Sequence, residues 1–325
     1  MRGVEITPEI PVDEVVALGR RAESEDFDAV FASSHYNNRD PFQVLARLAA
    51  ETESVRLGPG VANPYETHPV ALASRVATLA EASDGRAVFG LGAGDRSTLR
   101  NLGVERDRPL RRVLETMRVS RRLFAGERVD HDGTFVVDDA GLNYEVGEIP
   151  IYVGAQGPHM LRMAGKYADG VLVNGSHPDD LAWARERVDE GVADRDPARG
   201  DPAVLVHASV SVAEDERAAR KAARPPVAFI AGGADERVLE RHDLDVGLAG
   251  TIGEHVEAGR FEEAFAAVTP AMLDAFSVSG NVETVGRGLA ALVEHADGVV
   301  VGAPLGPDRE AAIELAAAAF DLADG

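Results

Sequence analysis

A single glutamate lies in an otherwise apolar segment near the start of the chain. Glu5 stands within the sequence VEIT, which has the pattern of a buried strand. Burial disfavours the charged form of a carboxyl group, so an inward-facing glutamate could hold a proton for general acid catalysis. The side chain could equally point outward to a helix or form an ion pair, because alternate strand residues face opposite sides. Glu5 is therefore a candidate acid whose orientation decides its role.

Polar loops follow two other apolar segments. His35 lies in the loop SSHYNNRD, which could recognise a ligand or simply be a solvated helix start. No second histidine stands at a metal-binding spacing from His35, so we predict no metal site. The glycines of Gly90–Asp95 complete neither a dinucleotide fingerprint nor a P-loop. This pattern argues against a nicotinamide cofactor.

Two later loops lead into helix starts that could bind an anion. Gln156–Gly157 and Asn174–Ser176 each stand before a proline that suits a first helical turn. Backbone N–H groups at such a start can bind a phosphate. Ordinary capping by glycine and serine is the alternative reading of both loops.

The elements that carry these loops alternate between strand and helix along the whole chain. Parallel strands covered on both faces are apolar throughout, and eight short segments have this character. The candidate strands are Gly3–Ile6, Ala29–Ala32, Val55–Val61, Ala87–Leu91, Ile151–Gly154, Gly170–Val173, Val204–Val210 and Gly298–Gly302. Helices are predicted to carry Pro41, Pro69, Pro158, Pro178 and Pro307 in their first turns. The repeat favours an α/β fold of the (β/α)8 TIM barrel type over a doubly wound sheet.

Two connections are longer than the others. Residues 92–149 follow the fourth strand and contain a predicted hairpin around His131–Phe135, and residues 212–296 follow the seventh strand and are largely helical. Both insertions begin at carboxyl ends of strands, where barrels build their active sites. We therefore expect one domain over residues 1–325.

The composition excludes several functions. Lys+Arg 33 against Asp+Glu 55 gives a net charge of −22, which repels nucleic acid and anionic membranes. Lys166 and Lys221 are the only lysines, which favours a halophilic protein over one from a GC-rich mesophile. The absence of cysteine excludes thiolate chemistry. The acidic first residues and the lack of a long apolar run predict a cytoplasmic, soluble protein.

The strand-end motifs resemble a known family. VEITP, HYNNRD, LGPGVANPYETHP, GLGAGDRSTL, GAQGPHML and NGSHP occur in the order found in luciferase-like flavin and deazaflavin oxidoreductases. Within these, the chain is most similar to the coenzyme F420-dependent methylenetetrahydromethanopterin reductases, in a halophilic archaeal form. The resemblance implies a bacterial-luciferase-type barrel that binds F420 at the carboxyl ends of its strands. It also implies a non-prolyl cis peptide at Gly60–Val61 that supports the deazaflavin ring.

The resemblance assigns roles to individual residues. It implies that Glu5 is the catalytic acid, which protonates the departing amine when the methylene ring of a tetrahydropterin opens for hydride transfer from F420. His35 and Asp95 are expected to contact the substrate or the ring. The expected cofactor-binding residues are Gly60, Val61, Asn63, Asp95, Gln156, Gly157, Asn174 and Ser176. The chain departs from the family at Ser34, where an aspartate that could orient His35 is usual.

Other functions stay open at this point. An FMN-dependent monooxygenase or another F420-dependent dehydrogenase would have the same fold, and a non-catalytic deazaflavin-binding protein is a third hypothesis. The pterin could be methanopterin or folate, and the halophilic composition favours tetrahydrofolate slightly. Members of the family usually form homodimers or homotetramers. The sequence leaves the pterin, the direction of the reaction in the cell and the oligomeric state open.

Overall fold

Residues 1–324 are described by a computed structural model, and their backbone contacts divide them into two units. The first unit contains residues 3–174 and 183–205 together with Met1. The second unit contains Arg2, residues 175–182 and the chain from Val206 onward. The single domain expected over residues 1–325 stays a prediction, and its last residue lies outside the described residues.

The strands of the first unit follow the predicted apolar segments. They are β1 (Arg2–Ile6), β2 (Ala29–Ala32), β3 (Arg56–Pro59), β4 (Phe89–Leu91), β5 (Val129–Asp132), β6 (Val136–Ala140), β7 (Ile151–Ala155) and β8 (Gly170–Asn174). The strands β1, β2 and β3 pair in parallel in that order, as do β4, β7 and β8. Isolated parallel bridges join Leu57 to Ala87 and Ala62 to Leu91. The strands β5 and β6 form the predicted antiparallel hairpin.

Most helices of the first unit begin with a proline. They are α1 (Val12–Ser24), α2 (Pro41–Glu51), α3 (Pro69–Ala82), α4 (Arg96–Asn101), α5 (Pro109–Phe124), α6 (Pro158–Tyr167) and α7 (Pro178–Val192), followed by a 3₁₀ turn at Pro197–Arg199. The helix α7 begins in the second unit and ends in the first. Proline is the first residue of α2, α3, α6 and α7, as predicted from its fixed φ and missing N–H.

The second unit carries the later strands and most of the second insertion. Its strands are β9 (Ala203–Val212), which begins in the first unit, β10 (Val278–Gly280) and β11 (Gly298–Leu305). Its helices are α8 (Glu216–Ala222), α9 (Arg224–Gly233), α10 (Glu236–Arg241), α11 (Val246–Glu257), α12 (Phe261–Ala267), α13 (Pro270–Phe276), α14 (Val282–Val293) and α15 (Arg309–Asp324). The helices from α9 to α13 share a buried apolar cluster that includes Val227, Ile252 and Phe276.

Two details of the second unit differ from the sequence prediction. The three-residue strand β10 pairs in parallel with β9 inside the segment expected to be largely helical. The last helix does not begin at Pro307, because Asp308 caps it by accepting hydrogen bonds from the N–H groups of Glu310 and Ala311. A side-chain cap therefore determines this helix start, and the prediction at Pro307 was wrong.

Candidate active site

Glu5 is buried in β1. Its exposed fraction is 3%, and it stands opposite Phe31 in the parallel pair of β1 and β2. A Cβ placed on Gly60 would lie 3.6 Å from Cγ of Glu5, so the glutamate side chain lies beside the residue that follows β3. The Thr7 hydroxyl donates a hydrogen bond of 3.3 Å to Oε1 of Glu5. The structure thus places a carboxyl group inside the first unit at the end of β3.

The peptide bond between Gly60 and Val61 is cis, as the resemblance implied. The predicted third strand extended through Val61, whereas β3 ends at Pro59. The Val61 side chain fills space near two other strands. A Cβ on Gly92 would lie 2.4 Å from Cγ2 of Val61, and a Cβ on Gly154 would lie 3.3 Å from the same atom. The glycines after β4 and in β7 therefore leave room for Val61, a role that the sequence pattern of Gly90–Asp95 did not reveal.

Asn63 shapes the loop that follows the cis peptide. Its exposed fraction is 5%, and its Oδ1 accepts hydrogen bonds from the N–H groups of Tyr65 and Glu66, both at 3.1 Å. Its Nδ2 donates to Oε1 of Glu66 at 2.7 Å. The Asn63 side chain is thus largely engaged by its own loop, and its predicted contact with a cofactor stays a prediction.

His35 and Asp95 are brought together by a residue that the sequence analysis did not single out. Asp95 caps α4, and its Oδ1 accepts hydrogen bonds from the backbone N–H and the hydroxyl of Thr98 at 2.9 and 3.0 Å. The same Thr98 hydroxyl lies 2.6 Å from Nε2 of His35. The spacing of Asp95 and Thr98 is a signal for a helix start, but nothing in the sequence links either residue to His35.

The charge of Asp95 is stabilised locally. Burial raises the pKa of Asp95, but hydrogen bonds from Ser97 and Thr98 outweigh this effect and hold the pKa below its ordinary value. Asp95 is therefore an ionised acceptor near neutral pH.

A polar cavity of about 270 Å³ lies within the first unit beside His35. The residues that line it include Ser34, His35, Asn63, Glu66 and Arg75. Glu5 is not among its lining residues. The cavity therefore lies next to the loops that carry His35 and Asn63. Glu5 lies outside its lining, buried in β1 beside Gly60.

The two predicted anion sites differ in their capping. Gln156 directly follows β7, Asn174 is the last residue of the neighbouring β8, and both are exposed. The helix α6 begins after Gly157 without any side-chain cap in the described chain, so its first N–H groups could bind a phosphate. In the second unit, Oγ of Ser176 accepts a hydrogen bond from the N–H of Ser209 at 3.0 Å. Nδ1 of His177 accepts from the N–H of Asp179 at 3.3 Å, so the start of α7 is partly capped.

The described part of the chain contains neither a metal-binding cluster nor a membrane-spanning helix. Within residues 1–324, no group of three or more histidine, aspartate or glutamate side chains is arranged to hold a metal ion. None of the helices in this range is both long and apolar enough to span a membrane.

The sequence matches a known family over most of its length. Residues 2–300 match the profile described as luciferase-like monooxygenase. The chain belongs to this luciferase-like family. It is 39% identical to the 5,10-methylenetetrahydromethanopterin reductase of Archaeoglobus fulgidus over 96% of each chain. It is 38% identical to the enzyme of the same name from Methanolobus tindarius, over 96% of this chain and 97% of that one.

Solved structures agree with this luciferase-like assignment. The coenzyme F420-dependent tetrahydromethanopterin reductase of Methanopyrus kandleri superposes with a TM-score of 0.91 at 34% identity, over 97% of this chain and 96% of that chain. An F420-dependent secondary alcohol dehydrogenase has a TM-score of 0.79 at 18% identity over 99% of each chain, which shows the fold alone. The predicted (β/α)8 barrel of the bacterial luciferase type is therefore confirmed, and the insertions follow its fourth and seventh strands.

Proposed function

We propose that this chain is an F420-dependent reductase that transfers a hydride from reduced F420 to a methylene-tetrahydropterin and yields the methyl form. One observation carries the proposal. Glu5 is 3% exposed beside Gly60, in a chain 38–39% identical over almost its whole length to two reductases named for this kind of reaction. A buried carboxyl group at the strand ends suits the proton transfer that the reaction requires.

The residues at the strand ends fit the parts of F420. The uncapped start of α6, after Gln156 and Gly157, offers N–H groups and the positive end of a helix dipole to a phosphate. Asn174 lies at the neighbouring strand end and would contact the same part of the cofactor. Gly60 and Val61 would support the ring beside Glu5. When bound, F420 supplies the hydride.

Glu5 acts on the substrate as a proton donor. Reduction of the methylene group requires that one carbon–nitrogen bond of the five-membered ring breaks, and the departing nitrogen takes a proton. The Glu5 carboxyl group gives this proton and becomes a carboxylate. The Thr7 hydroxyl, 3.3 Å from Oε1, donates a hydrogen bond that stabilises the carboxylate after the transfer.

The proposal also concerns which tetrahydropterin is the substrate. Two relatives that are 38–39% identical to this chain are named as methylenetetrahydromethanopterin reductases, which supports that pterin. The acidic composition, which favours a halophilic source, underlies the alternative that the substrate is a tetrahydrofolate. Parallel initial rates with both methylene-pterins decide between the two.

The composition and the family support a proposal for the cellular location and the oligomeric state of the enzyme. A net charge of −22 suits a cytoplasm rich in salt, where screening reduces repulsion among the carboxylates. We expect the chain to work there as a homodimer or homotetramer. Sedimentation equilibrium in molar potassium chloride measures the oligomeric state directly.

The proposed activity is tested with the purified wild-type chain in molar salt. Reduced F420 is mixed with each methylene-pterin, and the formation of oxidised F420 and methyl-pterin is followed. Equal amounts of the two products support the reductase. A chain that instead retains FMN and consumes oxygen, with no F420 oxidation, would show that it is a monooxygenase and overturn the proposal.

A further inference from the structure

One buried hydroxyl links His35 to a carboxylate. Thr98 has an exposed fraction of 3%, and its Oγ1 lies 2.6 Å from Nε2 of His35 and 3.0 Å from Oδ1 of Asp95. The backbone N–H of Thr98 donates to the same Asp95 oxygen at 2.9 Å. The threonine is therefore held in place by its backbone as well as by its side chain.

The number of protons in this chain of hydrogen bonds is fixed. A threonine hydroxyl has one proton to donate, and an ionised carboxylate can only accept. Thr98 must then donate to Asp95 and accept from Nε2 of His35. A neutral imidazole carries one N–H, so this arrangement leaves the lone pair on Nδ1.

The surroundings of His35 agree with this assignment. Nδ1 is buried and has no hydrogen-bond partner among the described residues, so no other protein group competes for its orientation. The His35 ring stacks on Tyr36 with centroids 5.3 Å apart. Nδ2 of Asn101 donates a hydrogen bond to the Tyr36 hydroxyl at 3.2 Å. The helix α4 therefore contacts His35 through Thr98 and Tyr36 through Asn101, which lie three positions apart on the same helix face.

We propose that Thr98 is a positioning residue that fixes neutral His35 as its Nε2-protonated tautomer, with Nδ1 left as a hydrogen-bond acceptor. Thr98 connects the His35 imidazole to the Asp95 carboxylate, because its hydroxyl lies within hydrogen-bond distance of both groups. The part of the inference that concerns turnover rests on the proposed function. The tautomer itself depends only on the geometry.

The tautomer is measured by long-range ¹H–¹⁵N correlation spectra. The chain is labelled with ¹⁵N-histidine, and the spectra are recorded without cofactor at a pH well above the ordinary pKa of an imidazole. Comparison with His35→Gln assigns the signals of His35. We expect a protonated Nε2 and an unprotonated Nδ1 in the wild type and in Thr98→Ser, and a mixture of tautomers in Thr98→Val. A wild-type spectrum with Nδ1 protonated, or a Thr98→Val spectrum equal to that of the wild type, would overturn the proposal.

Turnover gives a second, independent readout. With reduced F420 and a methylene-pterin, Thr98→Val should lower kcat on the order of ten- to hundredfold, while KM stays close to the wild-type value. Thr98→Ser should restore kcat. Unchanged kcat in a Thr98→Val variant whose tautomer is lost would refute the positioning role. A wild type with the expected tautomer but no F420 activity would instead refute the proposed function and leave the tautomer assignment intact.

Discussion

Val61 occupies the space that a side chain on Gly92 would need, because a Cβ on that glycine would lie 2.4 Å from Cγ2 of Val61. Real Cβ contacts this short essentially do not occur. Gly154 is less restricted, because its Cβ would lie 3.3 Å from the same methyl group, a tight contact that a shift of a few tenths of an ångström relieves. A glycine just after β4 and a glycine in β7 therefore leave room for one valine, at the place where we expect the deazaflavin ring.

We expect Gly92→Ala to displace Val61. The added methyl group should lower the free energy of unfolding by about 1–3 kcal/mol, as is typical for overpacking, and should weaken F420 binding. Chemical denaturation and fluorescence titration with F420 measure the two effects. Adding Val61→Ala should restore part of the lost stability, because it removes the Val61 Cγ2 methyl group with which the new Cβ at position 92 would clash.

Gly58→Ala is a matched control for this prediction. Its Cβ would lie 2.3 Å from the carbonyl oxygen of Val88, so the clash is with backbone, and none of its three nearest atoms belongs to Val61. Val61→Ala should not rescue Gly58→Ala. Equal rescue of both glycine variants would show that the restriction does not come from the Val61 side chain.

Glu115 should make the stability depend on acid pH. It is 7% exposed on α5 and accepts hydrogen bonds from Thr134, Arg111 and His131. Burial raises the pKa of Glu115, but these hydrogen bonds outweigh it and lower the pKa from 4.5 to about 2. A carboxyl group with a lowered pKa stabilises the fold above its unfolded pKa, and this contribution is lost as the pH falls from about 4.5 to about 2.

Glu115→Gln tests this pH dependence. Its unfolding free energy should be lower than that of the wild type by on the order of 2 kcal/mol near neutral pH, and the difference should shrink as the pH falls toward about 2. Urea denaturation at several pH values measures the difference. A difference that stays constant over this range would contradict the assigned pKa.

The net charge of −22 predicts a strong dependence on salt. The screening length falls from about 10 Å at 0.1 M to about 3 Å at 1 M, so potassium chloride should reduce the repulsion among surface carboxylates. We expect the thermal unfolding midpoint to rise steadily between these concentrations. A midpoint that does not change would argue against a halophilic protein.

Much of the fold could be predicted because its signals are local. The apolar strands and the prolines at Pro41, Pro69, Pro158 and Pro178 appear in short stretches of sequence. At Pro307 the local signal failed, because the cap at Asp308 sets the start of α15. The three-residue strand β10 has too few residues to give a pattern.

The site was harder to predict because its contacts are not local. Glu5 could be recognised as a charged residue in an apolar strand. The link from His35 to Thr98 joins residues 63 positions apart, and neither position has a pattern that points to the other. The role of Gly92 depends on the side chain of Val61 on another strand end, which only the folded chain brings close.

The central claim is that Glu5 supplies the proton in F420-dependent reduction of a methylene-tetrahydropterin. The most direct measurement compares wild type, Glu5→Gln and the exposed control Glu262→Gln in molar salt, by F420 titration and by single-turnover rates with reduced F420. We predict nearly equal F420 affinity in all three, and a loss on the order of 10²- to 10⁴-fold in rate for Glu5→Gln alone. A Glu5→Gln rate equal to that of the wild type would contradict the account.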